Sequence, residues 1–191
     1  MIVADMTTPC ATESEMRPAR ILIVDDEPAI LNALRRTLTR DGYEVLKASS
    51  AVEALAILER ESGVDVVLSD QQMPGMTGIA MMESVRRAFP DTVRLLVSAQ
   101  CDIQAASDAI NDGLISRFVL KPWRDDELET VLHLALRDGK LLQETRAALA
   151  EVERLATDAQ EPERALAQTR RLVWSLKRLL EAHERRMAWG A

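Results

Sequence analysis

The chain has 191 residues, 47% hydrophobic and 29% charged, with a formal net charge of −7, a balance that belongs to a globular protein and excludes a disordered one. Aromatic residues make up only 3%, so the core must be aliphatic, and no apolar run approaches the length that spans a bilayer. Two cysteines, Cys10 and Cys101, lie far apart without metal-ligand spacing, which argues against a disulfide framework and points to a reducing cytoplasm.

Charge is uneven along the chain. Residues 1–136 hold 13 Lys and Arg against 22 Asp and Glu, whereas residues 137–191 hold 11 against 9, so an acidic globular part precedes a mildly basic tail. The segment Met1 to Pro18 lacks the basic start and apolar centre of a signal peptide and reads as a flexible leader.

Arg20 to Val24 is an apolar, β-branched strand closed by Asp25-Asp26-Glu27-Pro28, and Pro28 suits the first turn of a helix. That helix carries Ile30, Leu31, Leu34 and Leu38 on one face and stops at Asp41-Gly42. Tyr43 to Leu46 is the second strand. Ser49 or Ser50 caps the next helix, which carries Val52, Leu55, Ala56 and Leu58 before Gly63 closes it. Val64 to Asp70 is an apolar run ending in one carboxylate, followed at once by a turn with Pro74 and Gly75. This is how a buried parallel strand delivers a working residue to its carboxyl end. A helix from Thr77 to Phe89 stops at Pro90. Thr92 to Val97 is a fourth strand ending in Ser98-Ala99, Cys101 to Asn111 a short helix, and Ser116 to Leu120 a fifth strand ending in Lys121-Pro122-Trp123. A helix from Asp125 follows, with Leu128, Val131, Leu132, Leu134 and Leu136. Five strands alternating with five helices on short loops predict an α/β fold, a parallel sheet covered on both faces.

In such a sheet the strand carboxyl ends share one edge. Here that edge collects Asp25, Asp26, Asp70, Ser98 and Lys121. Three clustered carboxylates call for a cation, and hard oxygen ligands suit Mg2+. The lysine supplies a point charge for an anion, and the serine a hydroxyl. An acidic residue at a strand-to-helix junction often only caps a helix, but matched residues on four strand ends exceed what capping requires. Together they describe a carboxylate nucleophile with the means to stabilise a phosphoryl group on it.

Residues 20 to 136 resemble a response-regulator receiver domain of two-component signalling. The resemblance is carried by Ile21-Leu22-Ile23-Val24-Asp25-Asp26-Glu27-Pro28, Asp70-x-x-Met73-Pro74-Gly75-Met76-x-Gly78, Ser98-Ala99 and Lys121-Pro122-Trp123. It implies a flavodoxin-like, doubly wound sheet in the order 2-1-3-4-5. It also implies that Asp70 is the phosphoacceptor. Mg2+ would be held by Asp26, Asp70 and the backbone carbonyl of Gln72, with Asp25 acting through water. Ser98 and Lys121 would engage the phosphoryl group, and Phe118 would be the rotating aromatic switch, without the hydroxyl of the more common Tyr. Gln72 and Gln100, each two residues past a site residue, stand where side chains tune the lifetime of the phosphoryl group. The phosphodonor partner would be a histidine kinase or phosphotransfer protein. The resemblance implies a receiver that assists only its own phosphorylation and dephosphorylation, with any other enzyme activity left to an effector domain outside this chain. The division expected is a leader over 1–18, a receiver domain over 19–137 and a helical extension over 138–191.

Past Arg137, Leu142, Thr145, Leu149, Val152, Ala156 and Ala159 follow heptad-like spacing until Glu161-Pro162-Glu163 interrupts it. Leu166, Val173, Leu176, Leu180 and Met187 mark a second helix. The tail is therefore a kinked helix or a hairpin, expected to form a coiled-coil homodimer, because an amphipathic helix cannot bury its stripe alone. Signalling would then pass from the receiver to the tail through protein contacts. Two other readings stay open. The chain is the receiver and linker of a larger effector such as a cyclic-dinucleotide enzyme, given the abrupt end at Trp189-Gly190-Ala191; or it is a DNA-binding regulator using Arg170-Arg171, Lys177-Arg178 and Arg185-Arg186, although interspersed charges usually mark a solvated helix face. No membrane partner is expected.

Overall fold

The computed structural model describes residues 17–158 and Trp174. Within them β1 (Arg20–Val24), α1 (Pro28–Arg40), β2 (Glu44–Ala48), α2 (Ala51–Arg60), β3 (Val66–Asp70), α3 (Gly78–Ala88), β4 (Val93–Ser98), α4 (Ile103–Asn111), β5 (Arg117–Leu120) and α5 (Asp125–Asp158) follow in order. All strand pairs are parallel and the sheet runs β2-β1-β3-β4-β5, the flavodoxin-like order expected.

Alternate strand residues serve opposite faces because strand side chains repeat every second residue. Leu22, Val24, Val67 and Leu96 meet Ala54, Met81, Met82 and Ala106 on the α2–α3–α4 side. Ile21, Ile23, Leu68 and Leu95 meet Leu34, Leu38, Leu128 and Leu132 on the α1–α5 side. With helices on both faces, every residue of β3 is buried, Asp70 included. The core is aliphatic throughout its fully buried large side chains.

Local chemistry sets the helix ends. Pro28 sits in the first turn of α1, and Gly42 leaves it with a φ of 89°. Ser50 caps α2 by accepting from the Glu53 N–H, while the Glu53 carboxylate accepts from both the N–H and the hydroxyl of Ser49. The two serines thus share one capping box. The Ser49 backbone N–H, helped by the hydroxyl, holds the Glu53 carboxyl below its usual pKa. The buried residues of α2 are Ala51, Ala54, Ile57 and Leu58, with Leu55 half-buried against them, whereas Val52 is 70% exposed. The predicted Cys101–Asn111 helix divides into a 3-10 turn, Gln100–Asp102, and α4 proper.

α5 runs unbroken for 34 residues, so the boundary read at 137/138 falls inside one helix. At about 1.5 Å per residue such a helix reaches about 50 Å. Gly139 makes its close approach to the sheet: a Cβ there would stand 2.3 Å from Val93 Cγ2. Beyond it Leu149 is buried, and Leu142, Thr145 and Val152 are half-buried, among mostly exposed neighbours. The side chain of Ala156, together with Ala159, Pro162 and the second-helix residues, lies outside what is described. No described helix is long and apolar enough to cross a membrane.

Candidate functional site at the carboxyl edge of the sheet

The strand ladder sets the position of each site residue. Asp25 directly follows β1 and its N–H donates to the Ala48 carbonyl at 3.2 Å; Lys121 directly follows β5 and its N–H donates to the Ser98 carbonyl at 2.8 Å. Asp70 ends β3, paired with Val97, and Ser98 ends β4, paired with Leu120. The hydrophobic interior thus carries polar residues to one rim, where the N–H groups of Asp25 and Lys121 stay paired.

Lys121 Nζ stands 2.7 Å from Asp70 Oδ1 and 3.2 Å from Asp25 Oδ2. The second Asp70 oxygen accepts from the Gln72 N–H at 3.0 Å, so both oxygens have partners. Asp25 Oδ1 accepts from the Glu27 N–H at 2.8 Å. Asp25 is 1% exposed and Asp70 6%, so the ammonium and the backbone N–H groups take the place of the water that burial removes. Burial pulls the Lys121 ammonium down in pKa, but its bonds to Asp70 and Asp25 and their charges together outweigh that, and the net shift is upward.

Of the three carboxylates expected at close range, two meet at the lysine while Asp26 is exposed. Among the described residues no group of three or more His, Cys, Asp or Glu side chains comes together as a metal cage. Asp25 and Asp70 instead share the Lys121 ammonium. The chemistry of the donors still suits Mg2+, since Asp25, Asp26, Asp70 and the Gln72 carbonyl offer only hard oxygens.

Ser98 is fully buried, and its hydroxyl donates to the Ala99 carbonyl at 3.4 Å. Phe118 is half-buried against the α2–α3–α4 side of the core and pairs in register with Leu96. Gln72 donates from its side-chain amide to Asp102 Oδ1 at 3.0 Å, joining the loop after β3 to the loop after β4. Gln100 opens the 3-10 turn, and its side chain lies outside what is described.

Sequence reading missed three contributors. Asp102 holds Gln72, and nothing in its spacing marks it. Buried Gln71 accepts from the Ile79 N–H through its side chain, and from the Gly78 N–H through its carbonyl, tying the Asp70 loop to α3. Gly78 lies so close that a Cβ would come 2.3 Å from the Asp70 carbonyl oxygen and 2.9 Å from Leu96 Cδ1. The glycine was visible in the motif; its contact with the Asp70 backbone was not.

The family model described as response regulator receiver domain matches residues 21–133. The chain belongs to the response-regulator receiver family. Its receiver domain is 42% identical over 112 residues to the hydrogenase transcriptional regulatory protein HoxA of Cupriavidus necator, covering 59% of this chain and 23% of that protein. It is 34% identical over 127 residues to the C4-dicarboxylate transport transcriptional regulatory protein DctD of Rhizobium meliloti, covering 66% of this chain and 27% of that protein. The chain therefore spans about a quarter of the length of these relatives. Among solved structures, adenylate cyclase from Rhodopirellula baltica superposes with a TM-score of 0.67 at 31% identity, covering 70% of this chain and 98% of that one.

Proposed function

We propose that Asp70 accepts a phosphoryl group from a phosphohistidine of a kinase or phosphotransfer protein. The observation that carries this reading is Asp70 at the end of β3 with one oxygen on the Lys121 ammonium at 2.7 Å and the other on the Gln72 N–H at 3.0 Å. A carboxylate oriented in this way attacks phosphorus. The new Oδ–P bond forms as the P–N bond to the donor imidazole breaks, and the imidazole leaves with the electron pair. Lys121 then pairs with the oxygens of the acyl phosphate. Asp26, Asp70 and the Gln72 carbonyl, with Asp25 through water, would hold Mg2+, which supplies positive charge beside the incoming phosphoryl group. Gln72 and Gln100 govern how water reaches the phosphoryl group.

Ser98 and Phe118 form the switch. The Ser98 hydroxyl, spent on a long bond to Ala99, turns to the phosphoryl group, and Phe118 moves inward as its neighbourhood tightens. Arg117, next to Phe118, bonds the buried carboxylate of Asp138 on α5 at 2.9 Å, a direct route from the switch strand to the extension. The output passes through the 138–191 extension, paired with the same segment of a second copy. A second reading is favoured by the relatives, two of which are transcriptional regulatory proteins far longer than this chain: the receiver then serves a larger effector, and the extension is its linker.

The test is intact-mass measurement after incubation with phosphoramidate and Mg2+. The full chain gains one phosphoryl group and Asp70→Asn gains none; equal uptake by the variant, or none by the parent, overturns the reading. Beryllofluoride with Mg2+ alters the X-ray scattering profile of the chain, and superimposable profiles dismiss the output through α5.

A further inference from the structure

At the opposite, amino-terminal edge of the sheet lies a cavity of about 530 Å3, a size that accommodates a small organic ligand. Three arginines line it: Arg86 from α3, Arg94 from β4 and Arg146 from α5. Arg146 has a counterion, Asp91, at 3.3 Å. The other two do not. Arg86 donates to the Asp112 carbonyl at 3.0 Å. Arg94 donates to the carbonyls of Leu114 at 2.7 Å, Thr92 at 2.9 Å and Gly113 at 3.5 Å, which uses three of its five N–H donors. No carboxylate among the described residues pairs with either. Burial and the neighbouring charges of Arg86 and Arg146 bring the half-buried Arg94 guanidinium down to about 10.

An arginine held by neutral carbonyls satisfies the chain end of α4 but leaves its charge uncompensated. An oxyanion is the complement that geometry and charge leave out. Asp112 also lines the cavity with Asp91, so three arginines stand against two carboxylates there. Ile110, Ile115 and Leu142 supply apolar wall beside the arginines.

We propose that this cavity binds a small phosphomonoester, its oxyanion on Arg86 and Arg94 and its apolar body against Ile110, Ile115 and Leu142. The site lies across the sheet from Asp70, and one wall of it is α5. Gln143 and Arg146 already bond the Asp91–Pro90 turn from that helix, so an occupant here fastens the output helix to the receiver floor independently of phosphorylation.

The test is titration of the full chain with phenyl phosphate, in chelator, followed by amide chemical shifts. Saturable shifts are expected at 91–94, 111–116 and 139–146, with inorganic phosphate and benzoate each at least ten-fold weaker. Arg86→Gln, whose side chain is exposed, weakens binding at least ten-fold while still taking phosphoryl from phosphoramidate; Arg94→Gln does the same where it folds. Absence of saturable shifts there, or unchanged affinity in Arg86→Gln, overturns the proposal. Equal binding of benzoate overturns the phosphate class, and equal binding of inorganic phosphate removes the role of the apolar wall.

Discussion

The two edges of one sheet treat charge in opposite ways. At the carboxyl edge, buried carboxylates of Asp25 and Asp70 share one ammonium, and each oxygen not on Lys121 accepts a backbone N–H. At the amino edge, cations rest on backbone carbonyls just past the end of α4. The cause is the winding. In a parallel sheet with covering helices, helix N-termini with spare N–H groups gather at the carboxyl edge, and helix C-termini with spare carbonyls gather at the other. One edge welcomes anions and the other welcomes guanidinium groups. The proposed acceptor, Asp70, gains from the first arrangement, which suits its place at the end of a strand rather than at its start.

The sharpest way to break this comparison is Asp70→Asn, which keeps the shape of the carboxyl edge and abolishes phosphoryl uptake, measured by intact mass. Lys121→Met is expected to come next. It leaves Asp25 buried without its cation and lowers unfolding free energy by about 2 kcal/mol, read from urea denaturation. Magnesium should restore part of that loss, since both cations answer the same carboxylates. At the other edge Gly139→Ala pushes α5 against Val93, a stiff β-branched residue, and costs about 1.5 kcal/mol. Loss of protection from hydrogen exchange in α5, with the Asp70 loop unaffected, would show that the two edges are mechanically separate. Ser50→Ala removes the α2 cap and costs about 1 kcal/mol by the same denaturation assay.

The smallest effect is on pH dependence. The folded-state pKa of Lys121 is raised, so its contribution is complete below the ordinary lysine range and fades only as pH climbs through the higher folded value. Stability of the parent should therefore fall more steeply than that of Lys121→Met above pH 10.5, the usual lysine value. Parallel curves for the two proteins would mean that the ammonium is not coupled to Asp25 and Asp70 in solution.

Much of this was legible in the residue order alone. Short apolar runs and 3.6-period stripes fall in separate segments, Pro28 and Gly42 bracket α1, and the alternation of strands and helices leaves few topologies open. The residues at the strand ends were legible too, because a carboxylate or lysine that closes an apolar strand stands out against it. Of the α2 residues that hydropathy marked, Leu58 is buried and Leu55 half-buried, whereas Val52 faces solvent and Ala51, Ala54 and Ile57 complete the buried set.

By itself the sequence determined the fold class, the strand boundaries to within a residue or two and the places of Asp25, Asp26, Asp70, Ser98 and Lys121 at the strand ends, because these depend on local patterns and on where an apolar run stops. Only the tertiary structure decided which carboxylates face Lys121, that Gly78 and Gly139 are points of backbone and helix contact, and that three arginines separated by as many as 60 positions meet in one cavity. Such meetings depend on the packing of distant segments, and no spacing along the chain records them.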